Sequence, residues 1–195
     1  MTITLDQIKE LRSRTGAGVL DAKNALNESD GDLDKAMNWL REKGKASAAK
    51  KSARETKEGV VASYVHGNNK VAVLVAVTCE TDFVARNEKF QELAKNIALH
   101  IVASDPLVVS PDDLSETELG DEIAFIDKQL AEDKKPEDIK AKIKEGKVKK
   151  FKEERALLTQ PFVKDPSKTI EDLLKEAISE LGENITVAEF KRISI

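Results

Sequence analysis

The spacing of apolar residues changes abruptly at one point of the chain, and this change constrains the fold more than any other feature. Before it, β-branched Val71, Val73, Val75 and Val77 alternate with smaller or equally apolar neighbours, which is typical of a strand covered on both faces. After it, apolar residues recur at helical spacing; they are Phe90, Leu93, Ala94, Ile97 and Ile101. We therefore expect a strand at about 70–78 and a helix at about 88–103 packed on its sheet.

The connection between that strand and that helix carries a large ring, Phe83, beside an acid, Asp82. A connection between two rigid elements is a common place to present a functional group. The alternative is that Phe83 belongs to the core, since it precedes Phe90 by seven residues and a longer helix would put both on one face. Arg86 and Asn87 lie between them on that face, which counts against the core interpretation.

Residues 1–43 have the pattern of a small bundle of three short helices. Thr4 and Gln7 predict a capping box at the first helix, and Gly16 and Gly18 predict a tight break with positive φ after it. The positions expected to face its core are Leu5, Ile8, Leu11, Val19, Ala22, Ala25, Leu26, Leu33, Ala36, Met37 and Leu40.

Residues 44–58 form a basic linker with no large apolar side chain, and we leave open whether it is an exposed helical extension or coil. Its cationic residues suggest a nucleic-acid site; with the adjacent Lys43 they are Lys45, Lys50, Lys51, Arg54 and Lys57. The stretch lacks aromatic residues for base stacking, and the chain has a net charge of −4. We therefore favour a basic arm that meets an acidic protein surface, and we expect no nucleic-acid binding.

Residues 59–195 predict an α+β core domain with an antiparallel sheet. A strand at 60–65 leads through a turn at Gly67-Asn68-Asn69 into the valine-rich strand. A charged helical hairpin at about 112–158 follows, opened by a capping box of Ser115 and Glu118 and broken at Gly146. Gln160–Pro166 is expected to be a loop, after which a helix that begins at Thr169 and a strand at 185–195 complete the domain.

The residues point to no chemistry of the chain's own. The two histidines are far apart, the one cysteine cannot form an internal disulfide, and no cluster of Cys and His suggests a metal or cofactor site. No apolar run is long enough to span a membrane, and the first ten residues lack a signal-peptide pattern. We expect a cytoplasmic interaction protein that is not an enzyme and needs no cofactor; an enzyme and a nucleic-acid module are the alternatives.

Three stretches also resemble a known family. Thr81–Asn87 reads TDFVARN, Arg12–Gly18 reads RSRTGAG with Asp21, Lys23, Ala25 and Leu26 following, and Gln160–Asp165 reads QPFVKD. In these motifs and their order the chain resembles the elongation factor Ts family, whose members exchange guanine nucleotide on elongation factor Tu. The resemblance implies a ubiquitin-associated-like (UBA-like) module at the amino terminus and a partner that binds both as its GDP complex and without nucleotide.

The resemblance also implies two groups of partner-binding residues. Thr81, Asp82, Phe83 and Val84 would insert near the nucleotide site of elongation factor Tu and dislodge Mg²⁺, and Arg12, Thr15, Gly16 and Lys23 would hold another part of its nucleotide domain. Helix capping and turn geometry are the alternative roles for Thr15 and Gly16. Because the chain has one sheet-bearing domain, it resembles the short members of the family, which pair as homodimers.

Overall fold

The computed structural model describes residues 3–67, 69–133 and 135–195, so Asn68 of the predicted turn lies outside the described residues. The described part is an α+β fold with antiparallel sheets, as the sequence predicts. The helices are α1 (Leu5–Thr15), α2 (Val19–Glu28), α3 (Leu33–Lys51), α4 (Asp82–Ala85), α5 (Glu88–Ser104), α6 (Glu116–Ala131), α7 (Glu137–Arg155) and α8 (Ile170–Leu181). The strands are β1 (Glu58–Val65), β2 (Val71–Cys79), β3 (Pro161–Phe162), β4 (Asp165–Thr169) and β5 (Ile185–Ser194), and short 3₁₀ turns lie at Pro111–Asp113 and Leu157–Thr159.

The three amino-terminal helices pack on one another around a small apolar cluster. The predicted capping box starts α1, where the Gln7 N–H donates to the Thr4 hydroxyl at 3.2 Å. Gly16 ends the helix with φ +70°, a conformation that glycine adopts without steric cost. The buried residues of the cluster are Ile8, Leu11, Ala22, Ala25, Leu26 and Ala36, with Leu33, Met37, Trp39 and Leu40 packed against them.

Three details of the predicted bundle are wrong. Leu5 and Val19 lie outside the core, with 74% and 55% of their surface exposed. Gly18 has φ −61° and is the N-cap of α2, so only Gly16 of the two glycines needs positive φ.

Helix α3 continues past residue 43 to Lys51, so most of the basic linker is helical. Its alanines favour that conformation. Gly44 and Ala48 are buried rather than exposed, which means that this extension packs against other residues. The division into a module at 1–43, a linker at 44–58 and a core at 59–195 stays a prediction.

The larger sheet has the order β1-β2-β5, with β2 in the centre. Hydrogen bonds place Thr78 beside Thr186 at one end of the β2–β5 pair and Lys70 beside Ile195 at the other, so the two strands run antiparallel. Val73, Val75 and Val77 are buried on one face of β2.

Helices α6 and α7 pack on each other as the predicted hairpin. The capping box at Ser115 and Glu118 is present. The predicted break at Gly146 is wrong, since α7 runs through it to Arg155. One glycine costs a helix only about 1 kcal/mol, and the flanking lysines and glutamates are good helix formers.

The predicted loop at Gln160–Pro166 contains paired backbone instead. Strands β3 and β4 pair antiparallel there, with Phe162 opposite Asp165. The hydroxyl of Thr169 then accepts from the Asp172 N–H at 3.1 Å and caps α8, where the sequence predicts the helix to begin.

The chain divides into two compact units. The first comprises the chain up to Gly59 together with Thr78–Gln91 and Leu173–Thr186; the second comprises Val60–Val77, Glu92–Asp172 and Val187–Ile195. The first unit therefore collects segments that are more than a hundred residues apart in sequence, and it contains both predicted groups of partner-binding residues.

Candidate functional site

Phe83 lies at the surface on the short helix α4, directly after β2. The hydroxyl of Thr81 accepts from the Val84 N–H at 3.4 Å and caps this helix. Phe83 is 80% exposed, whereas Phe90 is fully buried and Ala85, two residues after Phe83, is 6% exposed. The alternative that Phe83 belongs to the core is therefore wrong, and an exposed ring on a fixed turn is available to a partner.

The turn that carries Phe83 is held by Glu183, which precedes β5. One oxygen of the Glu183 carboxylate accepts from the Glu80 and Thr81 N–H groups at 3.1 and 3.0 Å. The other oxygen accepts the hydroxyl proton of Thr81 at 2.6 Å. Two successive N–H groups that converge on an anion form a concave backbone site of a recurring kind.

In a second set of contacts between the same two segments, the acceptor lies at the end of β2 and the donor lies beside Glu183. The Glu80 carboxylate accepts from the Asn184 N–H at 2.6 Å and pairs with Arg54 at 3.4 Å. The hydrogen bond from Asn184, together with the charge of Arg54, holds the pKa of the Glu80 carboxyl below its usual value. Asn184 is 2% exposed, and its side chain donates to the Arg54 carbonyl at 2.8 Å.

Two further side chains near the turn, Asp82 and Cys79, are explained by a local ion pair and by burial. Asp82 forms an ion pair with Arg86 at 3.0 Å, one helical turn further on. Cys79 is buried, and burial raises the pKa of its thiol to about 11. A thiol with so high a pKa is largely protonated near neutral pH and is a poor nucleophile.

The amino-terminal group of predicted residues divides into two kinds. Thr15 donates to the Leu11 carbonyl at 2.7 Å and accepts from the Ala17 N–H at 3.3 Å, and Gly16 has the left-handed backbone. The alternative roles of these two residues in capping and turn geometry are thus supported. Arg12 and Lys23 are exposed, although the Arg12 Nε also donates to the Ala17 carbonyl at 3.1 Å.

The extension of α3 and the break after α1 both approach the end of α8. A Cβ at Gly44 would lie 3.3 Å from the Ser179 hydroxyl, and one at Gly16 would lie 2.8 Å from a Glu180 carboxylate oxygen. The Lys51 ammonium donates to the Ile178 carbonyl at 3.3 Å. The same end of α8 thus contacts the amino-terminal bundle and leads into Glu183.

Sequence reasoning missed two sets of residues here. Leu20 is 70% exposed and forms an apolar surface pair with Val19. The sequence does indicate this exposure, because two adjacent helical residues cannot both face a core that includes Ala22. Glu183 and Asn184 gave no signal, because their contacts join segments about a hundred residues apart and no periodic pattern predicts such contacts.

The described residues contain no group of three or more His, Cys, Asp or Glu side chains that could hold a metal ion. Among them, no helix combines the length and apolarity that crossing a bilayer requires.

Comparison with known proteins gives a consistent result. The family model described as "Elongation factor TS" matches residues 20–195. A protein of Rubrobacter xylanophilus named "Elongation factor Ts" is 51% identical over 195 residues, which is all of both chains. Proteins of the same name from Nitratidesulfovibrio vulgaris and Leptospira biflexa are 49% and 50% identical, over all of this chain and 98% of theirs. With a full-length match of this strength, the chain belongs to the elongation factor Ts family of translation elongation factors.

Proposed function

We propose that this protein is the guanine-nucleotide exchange factor of elongation factor Tu, and that it is not an enzyme. The observation that carries the proposal is Phe83, a large apolar ring that is 80% exposed on a capped turn. An aromatic ring displayed in this way offers a partner apolar area at a small cost in side-chain entropy, as the anchors of protein interfaces do.

The exchange mechanism follows from how a GTPase holds its nucleotide. A phosphate loop and a bound Mg²⁺ retain the β-phosphate of GDP. Insertion of Phe83 and Asp82 between helices beside that site displaces a helix and the groups that hold Mg²⁺, so the phosphate contacts weaken and GDP leaves. Thr81 and Val84 complete the inserting segment. The protein forms no bond to the nucleotide and acts only through coupling between two binding sites.

A second contact uses the amino-terminal bundle. Arg12 and Lys23 supply exposed positive charge, and Val19 and Leu20 supply exposed apolar surface close to them in sequence. A patch with an apolar centre and charged surroundings is typical of protein interfaces. Thr15 and Gly16 shape the turn between α1 and α2 that carries this patch.

We further propose that the chain forms a homodimer through the larger sheet. Apolar residues on the face of this sheet opposite the buried valines are exposed; by strand alternation they are Val61, Val65 and Leu74, at 70%, 58% and 53%. Among the described strands, none pairs with the outer edges of β1 and β5. A two-fold contact would cover such a face and protect its edges.

The nucleic-acid alternative is weaker because three cations of residues 44–58 have other partners. Lys51 donates to Ile178, Arg54 pairs with Glu80, and Lys57 pairs with Glu55 at 3.1 Å. A factor that acts on elongation factor Tu works where translation takes place, and we therefore assign the protein to the cytoplasm.

The release of fluorescently labelled GDP from purified elongation factor Tu tests the proposed function. We expect the release rate to rise with the concentration of this protein and to saturate, with excess unlabelled GDP present to prevent rebinding. Release at the unstimulated rate at every concentration would refute the proposal. A salt-dependent affinity for RNA in the same preparation would favour the nucleic-acid alternative.

A further inference from the structure

Glu183 connects the end of α8 to the turn that presents Phe83. Its carboxylate accepts both backbone N–H groups at the end of β2, from Glu80 and Thr81, and also the Thr81 hydroxyl. These three hydrogen bonds go to a charged acceptor, which makes them stronger than bonds between neutral groups. Together they fix the direction in which the chain leaves β2.

The hydrogen bond from the Thr81 hydroxyl to Glu183 also controls the cap of α4. A hydroxyl has one proton, and when that proton points to Glu183 a lone pair is left to accept the Val84 N–H. Helix α4 has four residues, Asp82–Ala85, and a helix of that length has no stability of its own. The orientation of Phe83 therefore depends on a cap that Glu183 orients.

We call the hydrogen bonds that join Glu183 and Asn184 to Glu80 and Thr81 the clamp. They run in both directions, so each segment holds the other. Glu80 accepts from the Asn184 N–H, while Glu183, the residue before Asn184, accepts from the Glu80 N–H. The buried side chain of Asn184 also donates to the Arg54 carbonyl. The dipeptide of Glu183 and Asn184 thus joins the turn that carries Phe83 to the segment that follows α3.

We propose that Glu183 is a positioning residue for nucleotide exchange, which holds the Thr81–Val84 turn in the one conformation that presents Phe83. This role rests on the proposed function. A chain without the clamp would sample other turn conformations, and only the fraction of complexes with the presented ring would release GDP. Because the amino-terminal contact does not involve Glu183, its loss lowers the maximal rate of release more than the affinity for the partner.

The test compares the full chain with the variants Glu183→Ala and Glu183→Gln. Glu145→Ala, which removes an exposed carboxylate on α7, is the matched control. For Glu183→Ala we expect the maximal rate of stimulated GDP release to fall about tenfold, the order of one charge-assisted hydrogen bond. The half-saturating concentration should change by less than about threefold, since most contacts remain.

The conservative variant separates the two functions of the carboxylate. The amide oxygen of Glu183→Gln can still accept the two backbone N–H groups, but its NH₂ group cannot accept the Thr81 proton. We expect its maximal rate to lie between those of the wild type and Glu183→Ala. The control variant should behave as the wild type does.

Amide hydrogen exchange at Glu80 and Thr81 provides a measurement that does not depend on GDP. Loss of protection at these two amides in Glu183→Ala, with protection of the bundle core retained, is the expected result. Unchanged protection would overturn the inference, and so would lost protection with an unchanged maximal rate. A wild-type chain that does not stimulate GDP release would refute the proposed function and the positioning role together, whereas an active wild type with an equally active Glu183→Ala variant would refute the positioning role alone.

Discussion

Replacement of Phe83 by alanine separates an interface role from a structural one. About a fifth of the ring surface is covered in the free chain, since Phe83 is 80% exposed. For an aromatic side chain of about 200 Å² this amounts to about 40 Å², or about 1 kcal/mol at 25 cal/mol per Å². We therefore expect the melting temperature of Phe83→Ala to fall by no more than about 4 °C.

The expected effect on exchange is much larger. A buried aromatic anchor lost from an interface costs about 2–4 kcal/mol, which corresponds to a decrease of about 30-fold to 1,000-fold in the stimulated release rate at low factor concentration. The assay is stopped-flow release of labelled GDP from elongation factor Tu, together with thermal unfolding of the same samples.

Phe90→Ala is the matched control, because Phe90 is fully buried. Its loss should cost about 3–5 kcal/mol of unfolding free energy and change exchange only through the fraction of folded protein. A Phe83→Ala variant that melts as early as Phe90→Ala would show that the ring is structural. One that releases GDP at the wild-type rate would show that the insertion mechanism is wrong for this chain.

Three further predictions concern the fold and the assembly. Gly16→Ala should lower the unfolding free energy by about 1–2 kcal/mol, since alanine disfavours the left-handed backbone found there, whereas Gly146→Ala in α7 should raise it by up to about 1 kcal/mol; chemical denaturation measures both. His100 is fully buried, and burial lowers the pKa of its imidazole below the usual 6.5. The unfolded chain therefore binds more protons than the folded chain once the pH falls through about 6.5, and the unfolding free energy should decrease as the pH falls further. The variant His100→Gln should remove this slope and His66→Gln should not, and equal slopes in both would contradict the assignment. Leu74→Asp should convert the dimer into a monomer in sedimentation equilibrium, whereas added salt should weaken the dimer little because the contact is apolar. A wild-type chain that is monomeric at micromolar concentration would overturn the proposed dimer.

The imidazole of His100 illustrates why the pH prediction has a defined sign. The Val163 N–H donates to its Nδ1 at 3.2 Å, so the ring proton lies on Nε2, which donates to the side-chain amide oxygen of Gln160 at 3.0 Å. A second proton would remove the acceptor at Nδ1. The neutral form is therefore the one that the fold accommodates.

The parts of the fold that sequence predicts well are those set by local patterns. The change from alternating valines to helical spacing at residues 71–101 identifies β2 and α5, and the pairs Thr4 with Gln7 and Ser115 with Glu118 predict two helix starts that are present. Where local signals conflict, prediction fails. A glycine ends a helix only where its neighbours have low helix propensity. The lysines and glutamates around Gly146 have high helix propensity, and α7 continues through it.

Half of the candidate site was predictable for the same reason. Phe83 lies on a short connection, and the polar residues before Phe90 argue for exposure. The support of that connection was not predictable, because Glu183 and Asn184 act across a separation of about a hundred residues. The exposure of Leu20, in contrast, was predictable, because Leu20 and its neighbour Val19 cannot both face a core that includes Ala22.

The equilibrium affinity of elongation factor Tu for GDP, measured with and without a saturating amount of this protein, tests the central claim most directly. Linkage requires that the factor by which the protein weakens GDP binding equals the factor by which GDP weakens binding of the protein. We expect both factors to be equal and at least about tenfold, a coupling of about 1.4 kcal/mol or more, and much smaller for Phe83→Ala. A GDP affinity that does not change when the protein is bound would contradict the account.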